Sequence, residues 1–266
     1  MNIGIIGAGN MGSAIAKGYQ KKFPESSIGL LDTDSRKAEE VSASVNGKTF
    51  RQNGYREFCI FSDVIILAVK PQYLNNLFTD LSEFTKDKKI ISIAAGKTIE
   101  YFEKKSGSSN IIRFMPNIAA TEGESITAVA FGEKSDKDFR KEAIAIAESF
   151  GMALPVNESQ MSAFTGLSGS GIAYVFAFIH ALSLGGTEQG IPYSESLKIA
   201  IQTVNGATAL LNSGAKQENP VELLTRVISA GGTTIAGVKA LEKGRLTSTV
   251  MEAVKKASLR ARELED

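Results

Sequence analysis

Three glycines near the start of the chain have the spacing of a phosphate-binding turn. Gly7, Gly9 and Gly12 form a G-x-G-x-x-G motif that directly follows a β-type apolar run and opens a helical pattern. In this motif the first glycine permits a tight turn, the second lets the backbone approach a pyrophosphate, and the third lets helix and strand pack closely. The amino end of the helix adds free N–H groups and positive potential. The motif therefore predicts dinucleotide binding, in which Asn10 and Met11 between the glycines take part.

The residues after the second β-type run bear on which dinucleotide is bound. Asp32 ends the run IGLLD, 20 residues beyond Gly12. A carboxylate there accepts hydrogen bonds from the adenosine ribose hydroxyls and repels a 2′-phosphate, which favours NADH. Thr33, Ser35 and Arg36 follow at once and would instead hold that phosphate, as in NADPH. The predicted cofactor is NADPH or NADH, and Asp32 taken alone favours NADH.

Two segments of small residues in the second half of the chain precede apolar helical patterns. Gly166–Gly171 reads GLSGSG, and Ser229–Thr234 reads SAGGTT. Each is predicted to place hydroxyl groups and uncapped backbone N–H groups at a helix start, which suits the binding of a small carboxylate. The alternative is that these serines and threonines only cap their own helices. The residues by themselves leave both interpretations open.

Histidine is nearly absent, which limits the chemistry that side chains can perform. The only histidine, His180, lies in an apolar stretch that predicts a core or interface position. Mechanisms that need a Ser-His or Cys-His pair are therefore disfavoured. Tyr101 and Lys105 fit the Y-x-x-x-K spacing of short-chain dehydrogenases, but they lie too early in the chain for that family, which makes a chance match the better interpretation. Cys59 is the only cysteine, so neither a disulfide nor a metal site is predicted.

Composition excludes several classes of protein. Of the 266 residues, 43% are hydrophobic and 22% charged, as in an ordinary globular protein. The 30 basic and 29 acidic residues nearly cancel, so no basic face for nucleic acid is predicted. The sequence predicts no apolar run as long as the ~20 residues that a membrane span needs. The chain also starts without the basic leader of a signal peptide, and the predicted location is the cytoplasm.

The chain changes in pattern near residue 157. Before it, β-type runs alternate with amphipathic helical patterns, which predicts a parallel, doubly wound sheet with helices on both faces. After it, only helical patterns occur. The helical patterns before it include Met11–Lys22, Ser35–Ser44, Gln72–Phe84 and Asp136–Phe150, and those after it are Ser159–Thr165, Gly171–Gln189, Tyr193–Ser213, Pro220–Ile228, Thr233–Lys243 and Thr247–Leu264. The predicted fold class is α/β, with a Rossmann-type dinucleotide-binding domain over residues 1–157 and an all-helical domain over 158–266. The predicted strands are Asn2–Ile6, Ile28–Leu31, Val64–Ala68, Lys89–Ala94, Asn110–Met115, Ser125–Phe131 and Ala153–Val156.

Taken in order, these motifs resemble the pyrroline-5-carboxylate reductase family over nearly the whole chain. The matching segments are IGAGNMG at the start, AVKPQ (Ala68–Gln72), RFMPN (Arg113–Asn117), LSGSGIAYVF (Leu167–Phe176), SAGGTTIAGVKALEKG (Ser229–Gly244) and EAVKKASLRARELE (Glu252–Glu265). The resemblance implies hydride transfer from NAD(P)H to the C=N bond of 1-pyrroline-5-carboxylate, giving L-proline in the last step of proline biosynthesis.

The resemblance also implies roles for particular residues. Val69, Lys70 and Pro71, after Ala68, would line the nicotinamide ribose. The segments beside the nicotinamide would be Ala94, Ala95 and Gly96 together with Met115, Pro116 and Asn117. The substrate carboxylate would be held by Ser168, Gly169, Ser170, Ser229, Gly231, Gly232 and Thr233. Thr234 matches the threonine that hydrogen-bonds the substrate ring nitrogen, and is the predicted catalytic residue.

Family members are dimers with interlocked carboxyl-terminal helices, often assembled into rings, so a homodimer is expected here. The apolar helices after residue 170 suit this, because they would otherwise expose a large hydrophobic surface. An oligomer larger than the dimer, feedback by proline, and the choice between five- and six-membered cyclic imines stay open.

Two departures from the family pattern bear on the substrate site. Ile172 and Ala230 stand where the family usually has proline, and both prolines would stiffen a helix entry. One alternative is a β-hydroxyacid dehydrogenase, which needs a lysine on the first long helix after the nucleotide domain. No lysine or arginine occurs from Met161 through Leu197. The other alternative is a relative that keeps the fold without catalysis, but the retained hydroxyls of the two small-residue segments argue against it.

Overall fold

The computed structural model describes residues 1–45, 47–213 and 218–265. The chain divides into two compact units. The first unit contains Met1–Ser170 and takes up the chain again from Lys255 onward, and the second contains Gly171–Val254. The change in pattern predicts a domain boundary near residue 157. The first unit extends beyond this position to Ser170, and it also includes the segment from Lys255 onward.

Within the described residues, eight strands form one sheet in the order β3-β2-β1-β4-β5-β6-β7-β8. All neighbouring strands are parallel except β6 and β7. The strands are β1 Ile3–Ile6, β2 Ile28–Leu31, β3 Lys48–Thr49, β4 Val64–Leu67, β5 Lys89–Ser92, β6 Ile111–Met115, β7 Ser125–Phe131 and β8 Gly151–Pro155.

The central strands are buried on both faces, as expected for a doubly wound sheet. Every residue of β1, β2 and β4 is buried. Successive side chains of a strand point to opposite faces. Accordingly, Ile5 belongs to the hydrophobic core on one side of the sheet, whereas Ile6 and Ile65 belong to the core on the other side. The predicted Rossmann-type architecture is confirmed.

The pairing of β6 with β7 differs from the parallel sheet that we expected. Met115 at the end of β6 pairs antiparallel with Ala128 of β7. The connection between the two strands contains only a short 3₁₀-helix, Ile118–Glu122. A parallel connection needs a crossover of a dozen or more residues, so this shorter link returns the chain antiparallel.

Seven helices are described in the first unit before residue 165, and three of them begin with a side-chain cap. Asp34, Thr98 and Asp136 accept hydrogen bonds from backbone N–H groups of the first turns of α2, α5 and α6, which fixes where these helices start. The sequence pattern predicted neither α3 nor α5. The helices are α1 Asn10–Lys22, α2 Ser35–Ser44, α3 Tyr55–Phe61, α4 Leu74–Leu81, α5 Ile99–Ser106, α6 Lys137–Ala147 and α7 Met161–Phe164.

The second unit is built from helices, as predicted, but little of it is buried in the single chain. Among the described residues of its helices, only Ser183, Ser196 and Ala200 are buried. The Ser196 hydroxyl donates to the Ser183 carbonyl at 2.7 Å and ties two of the helices together. These helices are α8 Gly171–Glu188, α9 Tyr193–Asn212, α10 Pro220–Val227, α11 Thr233–Lys243 and α12 Leu246–Glu263, the last of which ends in the first unit.

One helical stretch is longer and more apolar than the sequence suggested. Glu158–Glu188 is long and apolar enough to cross a membrane by length and composition alone, with a mean hydropathy of 1.5 over an 18-residue window. The expectation that no stretch of this length exists was wrong, because the predicted break at Gly166–Gly171 is helical in the structure. A helix of this kind is weak evidence for a membrane span, since the core helix of a soluble protein has the same composition.

Candidate active site

The glycine turn has the geometry that its spacing predicts. Gly7 has φ of +106°, a conformation that favours glycine, and a Cβ atom on Gly12 would overlap the carbonyl oxygen of Gly7. A Cβ atom on Gly9, in contrast, would meet no protein atom within 4 Å. No side chain caps the first turn of α1. The open space at Gly9 and the uncapped helix start fit a dinucleotide pyrophosphate.

Asp32 is fixed against the glycine turn. Its Oδ2 atom accepts a hydrogen bond from the Ala8 N–H at 2.6 Å, and its Oδ1 atom accepts one from the Asp34 N–H at 2.8 Å. The carboxylate is half-buried and still accessible to a ligand, whereas Thr33 and Arg36 beside it are exposed. Asp32 therefore braces the turn as well as standing where the adenosine ribose is expected.

The segment Ala68–Pro71 lies beside the glycine turn, at the carboxyl end of β4. The Ala68 N–H donates to the Ile6 carbonyl at 2.8 Å, and a Cβ atom on Gly7 would collide with the Ala68 carbonyl oxygen. Strands β1 and β4 are neighbours at the point where the strand order reverses. This point is where doubly wound sheets bind their ligands.

A cavity of about 250 Å³ lies within the first unit, at the carboxyl ends of β5 and β6. It is lined by Ala95 and Gly96 after β5, by Met115 at the end of β6, and by Ser170. Residues predicted beside the nicotinamide thus share one cavity with a residue predicted to hold the substrate. The rest of the lining consists of Arg113, Met161, Thr165, Ala257, Arg260, Ala261, Leu264 and Glu265.

Two further contacts join the predicted nicotinamide and substrate segments. The Asn117 side-chain amide donates to the Ser168 hydroxyl at 3.0 Å, while its oxygen accepts from the Ala119 N–H at 3.1 Å. A Cβ atom on Gly169 would lie 3.2 Å from the Met115 methyl carbon. Segments that are 51 residues apart in the chain are therefore in direct contact.

The segment Gly166–Gly171 is not the turn that the sequence suggested. Thr165–Gly169 forms a π-helical turn that leads from α7 into α8. The Ser170 N–H donates to the Thr165 carbonyl at 2.9 Å and is not free to bind a ligand. The expectation of uncapped N–H groups was wrong here, because the wider turn pairs this group internally. The hydroxyls of Ser168 and Ser170 are the polar groups that this segment offers, and π-helical turns occur frequently at functional sites.

The second small-residue segment, in the second unit, is a true turn. Gly231 has φ of +66°, and the Gly232 N–H donates to the Ser229 carbonyl at 3.1 Å. Helix α11 begins at Thr233 with no side-chain hydrogen bond capping its start. The structure therefore contradicts the alternative in which Ser229 or Thr233 caps this helix. Thr234 lies half-buried in the first turn.

Arg113 is a charged residue of this region to which the sequence analysis gave no role. Its side chain is 5% exposed and forms ion pairs with Glu158 at 2.6 Å and Glu265 at 3.4 Å. The same Glu158 oxygen accepts the Ile99 N–H at 2.7 Å. The signal in the sequence was an arginine inside the apolar strand IIRFM, since a buried arginine requires charged partners.

Other candidate residues lie elsewhere. His180 is exposed in the single chain, and its Nδ1 atom lies 3.0 Å from the Tyr193 hydroxyl. The expectation of a core position was therefore wrong, and an interface position stays a prediction. The Tyr101 hydroxyl donates to Asn75 at 3.1 Å, and burial raises the pKa of this phenol. Among the described residues, no group of three histidine, cysteine or acidic side chains could hold a metal ion.

The fold and the glycine turn define an NAD(P)-dependent oxidoreductase. Residues 2–96 match the family described as NADP oxidoreductase coenzyme F420-dependent, and residues 158–264 match pyrroline-5-carboxylate reductase dimerisation. The chain belongs to the pyrroline-5-carboxylate reductase family. Its carboxyl-terminal half carries the family's dimerisation region, and the protein is a homo-oligomer.

Relatives support this assignment over their full lengths. Pyrroline-5-carboxylate reductase of Methanosarcina acetivorans is 39% identical, and the match covers 98% of this chain and 97% of that protein. The solved structure of a pyrroline-5-carboxylate reductase from Coxiella burnetii superposes with a TM-score of 0.92 at 30% identity, over 100% of this chain and 98% of that one. The crystal structure of the Plasmodium falciparum pyrroline carboxylate reductase, solved with NADP bound, superposes with a TM-score of 0.87 at 26% identity. The match covers 100% of this chain and 98% of that one.

Proposed function

We propose that this enzyme reduces the C=N bond of 1-pyrroline-5-carboxylate with NAD(P)H to form L-proline, the reaction for which its family is named. The observation that carries the proposal is the cavity at the ends of β5 and β6, where Ala95, Gly96 and Met115 face Ser170. A cofactor on the glycine turn and a substrate beside the serines would meet there.

The cofactor would lie along the carboxyl edge of the sheet. In this proposal the pyrophosphate binds at Gly9 and the start of α1, where a Cβ atom would meet nothing. The adenosine ribose then lies at Asp32, and the nicotinamide end reaches the loop after β5. Reduced nicotinamide supplies a hydride when bound. The proposed cofactor residues are Gly7, Gly9, Asn10, Met11, Gly12, Asp32, Thr33, Ser35, Arg36, Ala68, Val69, Lys70, Pro71, Ala94, Ala95, Gly96, Met115, Pro116 and Asn117.

The chain's own residues mainly bind and orient the substrate. A cyclic imine carries a basic nitrogen and is already electrophilic when protonated, so the reaction needs positioning more than a strong acid. The substrate carboxylate would be held by the hydroxyls of Ser168 and Ser170 in the first unit. The other residues assigned to substrate binding are Ser229, Gly231, Gly232 and Thr233, at the uncapped start of α11 in the second unit. The Thr234 hydroxyl would hold the proton of the ring nitrogen. A histidine or tyrosine acid, which ketone reduction requires, is not needed.

A spectrophotometric assay tests this function. Purified protein is given 1-pyrroline-5-carboxylate with NADH or NADPH in separate reactions, and proline is quantified as the product. Cofactor oxidation that matches proline formation is the expected result. Oxidation with the six-membered cyclic imine and none with the five-membered one would assign the reaction to the larger ring.

Replacing Thr234 tests the proposed proton-holding residue. We expect Thr234→Ala to lower kcat about 10- to 100-fold without abolishing turnover, because a threonine hydroxyl orients the imine but is a weak acid. Thr234→Ser should restore most of the loss. Thr203→Ala, which removes a hydroxyl bonded to the Ile199 carbonyl on α9, serves as the control. Complete inactivity of a folded Thr234→Ala enzyme would contradict this role.

The finer organisation of the protein belongs to the same proposal. We assign residues 1–157 to cofactor binding and 158–266 to dimerisation and substrate binding. The homodimer would occur in the cytoplasm, without nucleic acid or membrane partners, and would be able to assemble further into a ring. Light scattering on the eluting protein separates a dimer from a ring. The residues that replace the family prolines, Ile172 and Ala230, would then be tested by restoring proline at each position and measuring the substrate KM.

A further inference from the structure

We propose that Glu265 is a positioning residue that, through Arg113, holds the segment Ala257–Glu265 in place as one wall of the reaction cavity. We call this segment the closing segment. The inference rests on the proposed function only in taking the cavity as the place of hydride transfer. The attachment of the segment is a property of the first unit itself.

The first attachment is the buried guanidinium of Arg113. Its Nη1 atom meets Glu158 at 2.6 Å and its Nη2 atom meets Glu265 at 3.4 Å, and the arginine side chain is 5% exposed. Glu158 already neutralises the arginine and also accepts the Ile99 N–H. Glu265 therefore adds a second carboxylate to a cation that already has one. The contribution of Glu265 is therefore to connect β6 to a segment that lies 152 residues later in the chain.

The second attachment is a backbone contact at Gly96. This glycine has φ of +68°, and a Cβ atom on it would lie 2.5 Å from the Leu264 carbonyl oxygen. The loop after β5, where the nicotinamide is proposed to lie, thus approaches the closing segment so closely that a Cβ atom at position 96 would clash with it. A side chain at position 96 would push Leu264 away. The segment is held from β5 on one side and from β6 on the other.

The closing segment also supplies much of the cavity lining. Ala257, Ala261 and Leu264 face the space that Ala95 and Met115 line from the sheet side. Apolar side chains on both sides would limit the water between cofactor and imine, which would strengthen the electrostatic contacts there. If the segment moved outward, the cavity would lose this wall and open to solvent.

Substitutions at two neighbouring positions distinguish a positioning role of Glu265 from a merely stabilising one. Glu265→Gln and Glu265→Ala weaken or remove the contact with Arg113. Glu263→Gln, in the same turn of chain, removes an ion pair with Arg260 between side chains that are 62% and 67% exposed. A surface pair of this kind contributes little. Each substitution removes one negative charge from the same turn of chain, and of the two glutamates only Glu265 reaches the buried arginine.

The expected result is a change in kinetics without a matching change in stability. We expect Glu265→Ala to raise the imine KM and lower kcat, with kcat/KM falling about tenfold or more. Glu263→Gln should stay within about twofold of the unmodified enzyme. The melting temperatures of the two variants should differ by a few degrees at most. Gly96→Ala should reproduce the kinetic change by displacing Leu264.

Two readouts do not depend on which imine is the substrate. The fluorescence gain of saturating NADPH on binding should shrink in Glu265→Ala, because water reaches the nicotinamide. Trypsin should cleave after Arg260 and Arg262 faster in Glu265→Ala and Glu265→Gln than in Glu263→Gln, because the segment is released. If the unmodified enzyme made no proline, the proposed reaction would fail while these two readouts still tested the closing segment.

Equal kcat, KM, cofactor fluorescence and cleavage rates for Glu265→Ala and Glu263→Gln would overturn the proposal. Should Glu265→Ala not fold, the same comparison with Glu265→Gln decides, since the amide keeps the size of the side chain. A loss of melting temperature with unchanged kinetics would make Glu265 a structural residue and would equally overturn it.

Discussion

The two units of the molecule bury their apolar side chains to very different extents. In the first unit the four residues of β1 are all buried, and two hydrophobic cores cover the two faces of the sheet. In the second unit only Ser183 of the 18-residue helix α8 is buried, while Phe176 is 64% exposed and Leu184 is 51% exposed. The first unit can stabilise itself, whereas the second must bury its apolar side chains against another chain. The proposed cofactor site and the exposed apolar surface available for assembly therefore belong to different units of the protein.

The largest effect is expected from a charge on the apolar surface of the second unit. Phe176→Asp should convert the oligomer into monomers, because a two-fold interface would bury the charge twice at a cost of several kcal/mol, or roughly 10³-fold in the dimer Kd. Proline formation should be lost. Binding of NADPH should stay within about twofold, because the glycine turn belongs to the first unit. Size-exclusion chromatography with light scattering measures the assembly, and cofactor fluorescence measures binding.

The matched control is an exposed apolar side chain of the first unit. Ile60 on α3 is 73% exposed. Ile60→Asp should leave the oligomer and the activity unchanged. A Phe176→Asp protein that stays a dimer would break the comparison between the two units.

The next effect is expected at the glycine turn, and it should leave assembly intact. Gly12→Ala should lower cofactor affinity at least about 100-fold and also reduce stability, because its Cβ atom would overlap the Gly7 carbonyl oxygen. Gly9→Ala should lower affinity with an unchanged melting temperature, since its Cβ atom meets no protein atom. Calorimetric titration with NADPH and thermal unfolding measure the two effects. If Gly9→Ala bound the cofactor normally, the pyrophosphate would not lie there.

A smaller, selective effect is expected at Asp32. Asp32→Asn keeps one oxygen to accept the Ala8 N–H, but it loses the acceptor for the Asp34 N–H and removes the negative charge. The ratio of kcat/KM for NADPH to that for NADH should rise about tenfold, because repulsion of the 2′-phosphate is relieved. Steady-state kinetics with each cofactor measure the ratio. Arg36→Ala should change it in the opposite direction, and an unchanged ratio in both variants would show that neither residue selects the cofactor.

The smallest effect on activity is expected at Cys59, in the core of the first unit. Burial raises the pKa of this thiol to about 11 from an ordinary value of 9.0. At pH 8 the native thiol is protonated and should react with iodoacetamide only when the first unit opens. Its contribution to stability is complete below pH 9 and is lost as the pH rises through 11. Cys59→Ser should therefore unfold with a weaker dependence on pH between 9 and 11, with kcat unchanged.

The sequence predicted the parts of the fold that depend on local pattern. Ser35–Ser44 and Thr233–Lys243 were predicted with their observed bounds, because apolar periodicity and turn residues mark such helices. Strand β3 was missed, since two residues carry no pattern, and the antiparallel pairing of β7 depends on the length of a connection rather than on the strand. The return of the chain into the first unit from Lys255 involves contacts over long separations, which no local pattern encodes.

The site could be predicted only in part, because several of its contacts join segments that are far apart in the chain. The glycine turn is local, and its geometry matches the prediction. The contact of Asn117 with Ser168 and the role of Arg113 join segments far apart in the chain. The π-helical turn at Thr165–Gly169 replaced the predicted loop because its backbone groups bond internally, which the small residues GLSGSG do not reveal.

The discontinuous first unit has a consequence for the order of events during synthesis. The sheet and the glycine turn are complete in the nascent chain before the second unit has been made. Arg113 can pair with Glu158 early, but it must wait for its second carboxylate, Glu265, which is 152 residues further along, roughly ten seconds at typical rates of translation. A nucleotide bound at the glycine turn during this time, as proposed, would face a reaction cavity that still lacks one wall. It would stay exposed to water until the segment around Leu264 had been made.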